Sequence, residues 1–390
     1  MSASQPMGAP HLLIGPAQYL STRFAFLITG LAMSAWAPLI PFAKARLAIG
    51  ESTLGLLILC FGIGSLMAMP VTGPLVNRYG CRRVITTSLL LMCISLVCLA
   101  ISPGVSGMAV NLLVFGMMLG ATDVAMNMQA VVVEKASGRA MMSGFHGFYS
   151  LGGIFGAVVM SALMGLGLSP FHALLCLTSV LLIMLAYAAR DLLPADSNHS
   201  GGEREPFFVA PRGKVLLIGS LCFIAFLAEG AVLDWSALFL STMRGIDPVY
   251  AGLGFACFSV AMTIGRFTGD KIVNALGGRR VVFWGGLFAA SGFLLVIMVP
   301  YTPAAFVGFT LVGIGASNIV PVLFTAAGNQ TAMPMGLAIA AVVSMGYAGL
   351  LAGPAVIGFV AEMTSLGVSF GLVALGLLAL ASAAKKATDR

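Results

Sequence analysis

Charged residues are scarce in this chain of 390 residues. Asp, Glu, Lys and Arg together make up 8% of it, where an ordinary soluble domain carries roughly 25%. Such a composition cannot cover a water-exposed surface, so a soluble globular fold is excluded. The net charge of +7 would suggest nucleic acid as a partner in a soluble protein, but here it must be interpreted by where the cations lie.

The residues that build metal and nucleotide sites are also few or badly placed. The four histidines are dispersed and the seven cysteines lie apart, so we predict no metal site and no disulfide framework. No lysine is followed by Ser or Thr, which excludes a P-loop. We therefore expect no cofactor and no transport driven by ATP hydrolysis in this chain.

Long apolar runs are what the chain has in abundance, with 59% apolar residues and 48 glycines. A membrane-spanning helix needs about 20 apolar residues, and breaks at Gly, Pro and charged residues divide the sequence into twelve such runs. Six lie before a polar stretch at 191–214 and six after it. We predict an all-α membrane protein with a bundle of six helices at 1–190, a linker at 191–214 and a second bundle at 215–390.

The cations favour one orientation. If the first residues are cytoplasmic, 17 of the 20 Lys and Arg residues fall on the cytoplasmic side, and only Lys44, Arg46 and Arg244 fall on the other. Cytoplasmic loops of membrane proteins carry this excess. We therefore predict that both termini and the linker are cytoplasmic, that the protein lies in the inner membrane, and that it binds no nucleic acid.

An internal repeat relates the two halves. A shift of 197 residues lays 55–84 on 252–281 with ten identities and no gap, and it also pairs Gly116 with Gly313 and Gly152 with Gly349. Shared hydrophobicity alone does not give so many matches. Parallel repeats of this kind are typical of transporters built from two bundles.

The loop after the second span carries a specific motif. Its sequence from Gly73 to Arg83 resembles the G-x-x-x-D-R-x-G-R-R signature of the major facilitator superfamily, and a second copy follows the eighth span. The resemblance implies twelve helices in two bundles and a transporter. It also implies gating roles for the signature residues, which are Gly73, Asn77, Arg78, Gly80, Arg82, Arg83, Arg279 and Arg280.

The signature Asp is replaced in both copies, by Asn77 and by Asn274. A latch based on this charge must then be weaker or remade, and we expect Glu134, at the cytoplasmic end of the fourth span, to accept hydrogen bonds from Arg78 or Arg82. The alternative is that these residues only cap helices and follow the charge bias. Segments 120–134, 145–157 and 229–240 further resemble the MosC-like subgroup, which includes proteins linked to an inositol derivative.

Ionisable residues inside the spans are candidates for coupling because their burial is costly. In the fourth span, Asp123 shares one face with Asn127 and Glu134; in the fifth, His146 and Tyr149 form a second polar stripe. We predict that Asp123 couples transport to protons, that His146 tunes it, and that Asn127 and Tyr149 contact substrate. The alternative for Asp123 is a hydrogen-bonded helix contact with Asn127.

The seventh span carries Glu229, Asp234 and Trp235. Both acids are predicted coupling residues, although five residues separate them and they cannot face the same point; a fixed salt bridge is the alternative for Glu229. Trp235 and its counterpart Trp36 are predicted to stack on a sugar-like ring, with an interfacial aromatic belt as the alternative.

Two further spans carry polar residues. Arg266 and Asp270 in the eighth span stand at i and i+4, the spacing of a helix-surface ion pair with a structural or gating role. Asn318 in the tenth span maps close to Asp123 and precedes Pro321, which predicts a bent or broken helix and a substrate contact at Asn318.

Together these features predict a secondary active transporter that moves a small polar solute, sugar-like or cyclitol-like, by alternating access with proton symport. A sodium gradient and a proton-coupled efflux antiporter of drugs or metabolites remain alternatives, as does a receptor or assembly protein that transports nothing. An enzyme is not expected, because no nucleophile and base pair stands out beyond Ser150 with His146. The expected partners are the solute, the coupling ion and the lipid bilayer, with the chain as a monomer.

Overall fold

The computed structural model describes residues 14–195 and 209–389, and their regular secondary structure is helical throughout. The helices are α1 Pro16–Ser34, a 3-10 turn Ala37–Leu39, α2 Ile40–Leu47, α3 Glu51–Ile101, α4 Gly104–Ser137, α5 Met142–Gly165, α6 Pro170–Ala188, α7 Lys214–Arg244, α8 Pro248–Ala251, α9 Leu253–Leu276, α10 Gly278–Met298, α11 Thr302–Ala316, α12 Ile319–Asn329, α13 Met335–Met363 and α14 Leu366–Thr388.

The predicted twelve spans are all found. Within the described residues, ten helices are long and apolar enough to cross a membrane. One of them, α3, changes direction at Gly80 and provides the second and third spans. The predicted eighth span corresponds to α9, which is a helix of 24 residues but not one of these ten. The first span is α1 with α2, and the tenth is α11 with α12. The predicted all-α membrane fold is therefore confirmed.

The two signature loops have one backbone conformation. Gly80 has φ 80° and ψ 158°, and Gly277 has φ 80° and ψ 151°. Because a side chain is strained at positive φ, glycine is the residue that this sharp turn requires. The equal angles agree with the internal repeat.

Helix packing follows the repeat. In the first half α1 packs against α5 and α3 against α4, and in the second half α7 packs against α13 and α10 against α11 and α14. Between the halves, α3 meets α13 and α5 meets α9. The predicted linker includes residues 196–208, and with them Arg204, which lie outside the described residues, so the boundary at 191–214 stays a prediction.

Two of the three cations on the minority side cap helix ends. The Arg46 guanidinium donates to the Leu99 carbonyl at the end of α3 (2.8 Å), and Arg244 donates to the Val296 carbonyl at the end of α10 (2.6 Å). The last carbonyls of a helix have no partner within it and carry partial negative charge. These exceptions to the charge bias therefore have a structural cause.

Glycines bring α3 and α4 into backbone contact. A Cβ added at Gly116 would overlap the Phe61 carbonyl, and the Ser65 hydroxyl donates to the Gly116 carbonyl (3.0 Å). We expect Gly116→Ala to destabilise the protein by about 1–3 kcal/mol, as overpacking does. Thermal unfolding in detergent measures this. Gly371→Ala, where the added Cβ meets no atom within 4 Å, is the control and should not lower stability.

Candidate functional site

One end of the molecule carries the two signature loops that the sequence analysis identified. We call it the signature face and define it by the loops at 77–83 and 274–280 and by the α4–α5 turn at 138–141. The halves meet there, because Asn274 of the second signature loop is hydrogen-bonded to Ala140 of the turn.

A buried polar chain lies in the middle of α4. Asp123 is 6% exposed, and the Asn127 amide donates to its Oδ1 (3.3 Å) and to its carbonyl (2.8 Å). The Asn127 Oδ1 lies 3.2 Å from Nε2 of His146 on α5. With the amide of Asn127 directed at Asp123, its oxygen accepts from Nε2. The structure thus brings Asp123, Asn127 and His146 together, as the two polar stripes predicted.

Aromatic residues flank the His146 end of this hydrogen-bonded series on both sides. His146 lies between the rings of Phe26 (5.3 Å between centroids) and Phe324 (5.6 Å), and Phe324 belongs to α12 of the second half. The histidine is 8% exposed. Its ring contacts are apolar, Asn127 is its hydrogen-bond partner, and the positive charge of Arg266 acts on it electrostatically. A charged imidazolium would therefore be poorly solvated and repelled there.

Tyr347 on α13 was not identified from the sequence. Its hydroxyl interacts with the Asp123 carboxyl and with the Tyr149 hydroxyl, and Tyr149 donates to the Met33 sulfur (2.9 Å). Tyrosines from both halves thus reach Asp123. The 197-residue shift lays Tyr347 on Ser150, so extending the polar stripe of the fifth span through the repeat would have revealed it.

The predicted ion pair between Arg266 and Asp270 is wrong. Nη1 of Arg266 donates to the Ser150 hydroxyl on α5 (2.7 Å), and Nη2 lies 3.6 Å from Oε1 of Glu229 on α7. Arg266 is 8% exposed, one turn deeper than Asp270. It pairs with Glu229 because either charge alone would be buried without compensation, while the Asp270 carboxylate accepts from the Gly144 N–H (3.0 Å).

The Glu229–Arg266 pair leaves polar atoms without a hydrogen-bond partner. Oε1 of Glu229 and Nε of Arg266 are buried and have no hydrogen-bond partner. Electrostatic interactions connect Tyr149 with Asp123, Glu229 and Arg266. We call these four residues with Tyr347 the central cluster; it draws side chains from α4, α5, α7, α9 and α13.

The predicted contacts of Glu134 with Arg78 or Arg82 are also wrong. Its Oε2 accepts from the N–H groups of Met141 (2.7 Å) and Met142 (2.8 Å), and its Oε1 accepts from the Thr325 hydroxyl (2.5 Å). The first turn of α5 offers unpaired N–H groups and a favourable dipole to a carboxylate. The Glu134 carboxylate therefore binds to the start of α5 and not to the arginines.

The signature residues lie at the rim, away from the central cluster. A Cβ added at Gly73 would overlap the Gly336 carbonyl at the start of α13, and the Asn77 amide lies against the same glycine. The arginine side chains of the two loops are exposed, namely Arg78, Arg82, Arg83, Arg279 and Arg280. Arg78 lies over the ring of Tyr79 (5.2 Å), and the Arg82 N–H donates to the Leu193 carbonyl (2.8 Å).

The tryptophans each pack within their own half. Trp36 is 7% exposed and lines an outer pocket with Arg46 and Pro170. The Trp235 ring packs against Gly358 of α13, and its Nε1 is buried without a hydrogen-bond partner. This arrangement does not bring the two rings together, and their stacking on one ligand stays a prediction.

The structure also shows the surroundings of two other predicted site residues, Asp234 and Asn318. Asp234 is exposed. Asn318 lies at the break between α11 and α12, where the sequence predicted a bent or broken helix, and its amide donates to the Gly265 carbonyl of α9 (3.1 Å). Its geometry is that of a helix contact, and its substrate contact stays a prediction.

Comparisons with known proteins agree with this architecture. The family model of the Major Facilitator Superfamily matches residues 23–252. An uncharacterised MFS-type transporter of Yersinia pestis is 54% identical over 96% of this chain and 97% of its own. The membrane protein MosC of Rhizobium meliloti is 31% identical over 93% of this chain and 88% of its own.

Among solved structures, the fucose:proton symporter FucP of E. coli superimposes with a TM-score of 0.80 at 18% identity, over 96% of this chain and 98% of that one. An identity this low establishes the fold alone. The predicted resemblance, including the likeness to MosC, is confirmed, and the chain is a multi-pass membrane transporter and not an enzyme. It belongs to the Major Facilitator Superfamily.

Proposed function

We propose that this transporter moves a small, neutral, hydroxylated solute, of the sugar or cyclitol type, by alternating access in symport with protons. The observation that carries the proposal is the setting of Asp123. It is buried in the middle of a membrane helix, the neutral Asn127 side chain donates to it, and the neutral Tyr347 hydroxyl interacts with it. A carboxyl group with neutral donors around it is able to gain and lose a proton without breaking an ion pair.

The neighbours of Glu229 differ from those of Asp123, and this difference assigns different roles to the two predicted coupling acids. Arg266 lies beside it, so Glu229, unlike Asp123, is paired with a charged side chain. We therefore rank Asp123 first as the proton site and propose that the Glu229–Arg266 pair binds the substrate. Asp234 ranks last because it is exposed, and His146 acts on Asp123 through Asn127.

The chemistry of the central cluster supports a neutral hydroxylated solute. Glu229 and Arg266 together carry no net charge, and Oε1 of Glu229 and Nε of Arg266, which have no hydrogen-bond partner, offer one acceptor and one donor. A hydroxyl group both donates and accepts, so neighbouring hydroxyls of one solute fit this pair. FucP, a symporter of fucose and protons, has the same fold, which is consistent with such a substrate.

Transport in proteoliposomes tests the proposal. The protein is first screened by thermal shift against sugars, cyclitols, amino acids and lipophilic cations, because a ligand that binds the native state stabilises it. The stabilising solute is then offered outside vesicles with an acidic exterior, a neutral exterior or a sodium gradient. Accumulation only with the acidic exterior supports proton symport. Accumulation with sodium alone, or extrusion of lipophilic cations, contradicts it and favours the sodium or efflux alternative.

We also propose that the signature face is cytoplasmic, with both termini on that side of the inner membrane, and that the chain acts as a monomer. The 17 to 3 distribution of cations supports the orientation. We expect a reporter enzyme that needs export, such as alkaline phosphatase, to be inactive when fused after residue 389. The same enzyme inserted after Ser102, between α3 and α4, should be active. The reverse pattern would contradict the orientation.

A further inference from the structure

A pocket of the first half lies at the end of the molecule opposite the signature face. α3 runs from the signature loop at Gly80 to Ile101, about 30 Å along its axis, so its last residues are at that far end. The pocket lies between segment 36–46, the end of α3 at 99–100 and the start of α6 at 169–171, and its volume is about 290 Å³. We call it the outer pocket.

The wall of the outer pocket is mostly apolar. Trp36 is buried within it, and Phe42 is 49% exposed at its edge. Arg46 and Ser169 are the polar residues among those that line it, and none of the described lining residues is acidic. The Ser169 hydroxyl is already hydrogen-bonded to His172 (2.8 Å). The charge of the outer pocket is therefore that of the exposed Arg46 guanidinium.

The internal repeat shows how Arg46 differs from its counterpart. A shift of 198 residues lays it on Arg244, and each arginine donates to a carbonyl at the end of the third span of its half. Arg244 donates to three carbonyls in 296–299 and lies over the Phe239 ring (5.0 Å). Within the described residues, Arg46 makes one hydrogen bond, to the Leu99 carbonyl (2.8 Å). A guanidinium has five N–H donors, so Arg46 keeps donors for a ligand.

A lipid with a negative charge matches these features. The ends of membrane-spanning helices lie where lipid head groups meet water. A guanidinium binds phosphate through paired N–H donors, and an acyl chain fits an apolar wall. A free anion would leave the apolar wall without a partner, and the ammonium group of a zwitterionic lipid would find no carboxylate among the described lining residues.

We propose that the outer pocket binds one anionic phospholipid, with the phosphate on Arg46 and the first part of an acyl chain against Trp36 and Phe42. The site is separate from the central cluster and does not depend on which solute is transported. The lipid would join segment 36–46 to the ends of α3 and α6. It would therefore stabilise the folded first half.

Thermal unfolding of the purified wild-type protein in detergent gives the first test. The probes are phosphatidylglycerol, phosphatidylcholine with the same acyl chains, and inorganic phosphate. A ligand that binds the native state stabilises it, so we expect phosphatidylglycerol to raise the unfolding temperature and the other two probes to have much smaller effects. Equal stabilisation by both lipids, or by inorganic phosphate alone, would overturn the proposal.

Tryptophan fluorescence places the lipid. The chain has three tryptophans, and replacing Trp235 and Trp284 with Phe leaves Trp36 as the reporter of the outer pocket. Phosphatidylglycerol with brominated acyl chains is expected to quench Trp36 at low lipid concentration, because bromine quenches only at close range. Brominated phosphatidylcholine should need a much higher concentration. Equal quenching by the two lipids would contradict an anionic lipid site.

A variant of the arginine gives the last test. Arg46→Gln keeps an N–H donor for the Leu99 carbonyl but removes the charge. We expect its affinity for phosphatidylglycerol, measured by Trp36 quenching in the same background, to fall by about tenfold or more, since hydrogen bonds to charged groups are the strong ones. Lys386→Ala removes an exposed cation near the end of α14 and is the control, with unchanged affinity. Wild-type affinity in Arg46→Gln would refute the site.

Discussion

Asp123→Asn is expected to abolish uphill accumulation of the solute while leaving its exchange across the membrane close to the wild-type rate. The amide keeps an acceptor for Asn127 and Tyr347 but cannot gain or lose a proton. The proton gradient therefore no longer drives accumulation of the solute. Uptake driven by an acidic exterior should fall to the level of passive equilibration. Counterflow, in which internal unlabelled solute draws labelled solute inward, should persist because it needs no net proton movement.

Two comparisons make this result specific. Asp234→Asn changes an exposed acid and should accumulate solute as wild type does. His146→Gln should retain accumulation with an altered dependence on external pH, because His146 reaches Asp123 only through Asn127. Full accumulation by Asp123→Asn would remove this residue from the proton path and return Glu229 or a sodium mechanism to consideration.

The sequence predicted the helices well because hydropathy and charge are properties of each segment alone. It also predicted a polar face on each of the fourth and fifth spans, and residues of these faces, Asp123, Asn127 and His146, meet in the structure. The repeat relation supplied the second signature loop, and Gly277 has the same positive φ as Gly80.

What the sequence did not predict depends on contacts between spans. Helical spacing pointed from Arg266 to Asp270, yet the partner of Arg266 is on α7, and only the packing of α5, α7 and α9 reveals it. Glu134 was assigned to arginines by charge, but the nearby N–H groups of α5 compete for the same carboxylate. Tyr347 lies in a run of small apolar residues, where an aromatic residue is typical of core packing.

Arg266→Met is expected to be among the most damaging single substitutions in the chain. It leaves the Glu229 carboxylate buried without a cation and the Ser150 hydroxyl without its donor. Removing one partner of a buried ion pair costs about 3–5 kcal/mol, whereas replacing both is far less harmful. Thermal unfolding of the purified protein should therefore show a large loss for Arg266→Met and a smaller one for the double variant with Glu229→Gln.

The comparison of Arg266→Met with the double variant also shows whether Glu229 is ionised. If the carboxylate stays ionised in the wild-type protein, the double variant must be more stable than Arg266→Met, and this coupling identifies the pair as a fixed ion pair. If Arg266→Met alone costs little, Glu229 has become neutral by taking up a proton. That result would make Glu229 a proton-binding group and contradict its proposed role in substrate binding. A carboxyl group that takes up a proton so readily is stable without the arginine.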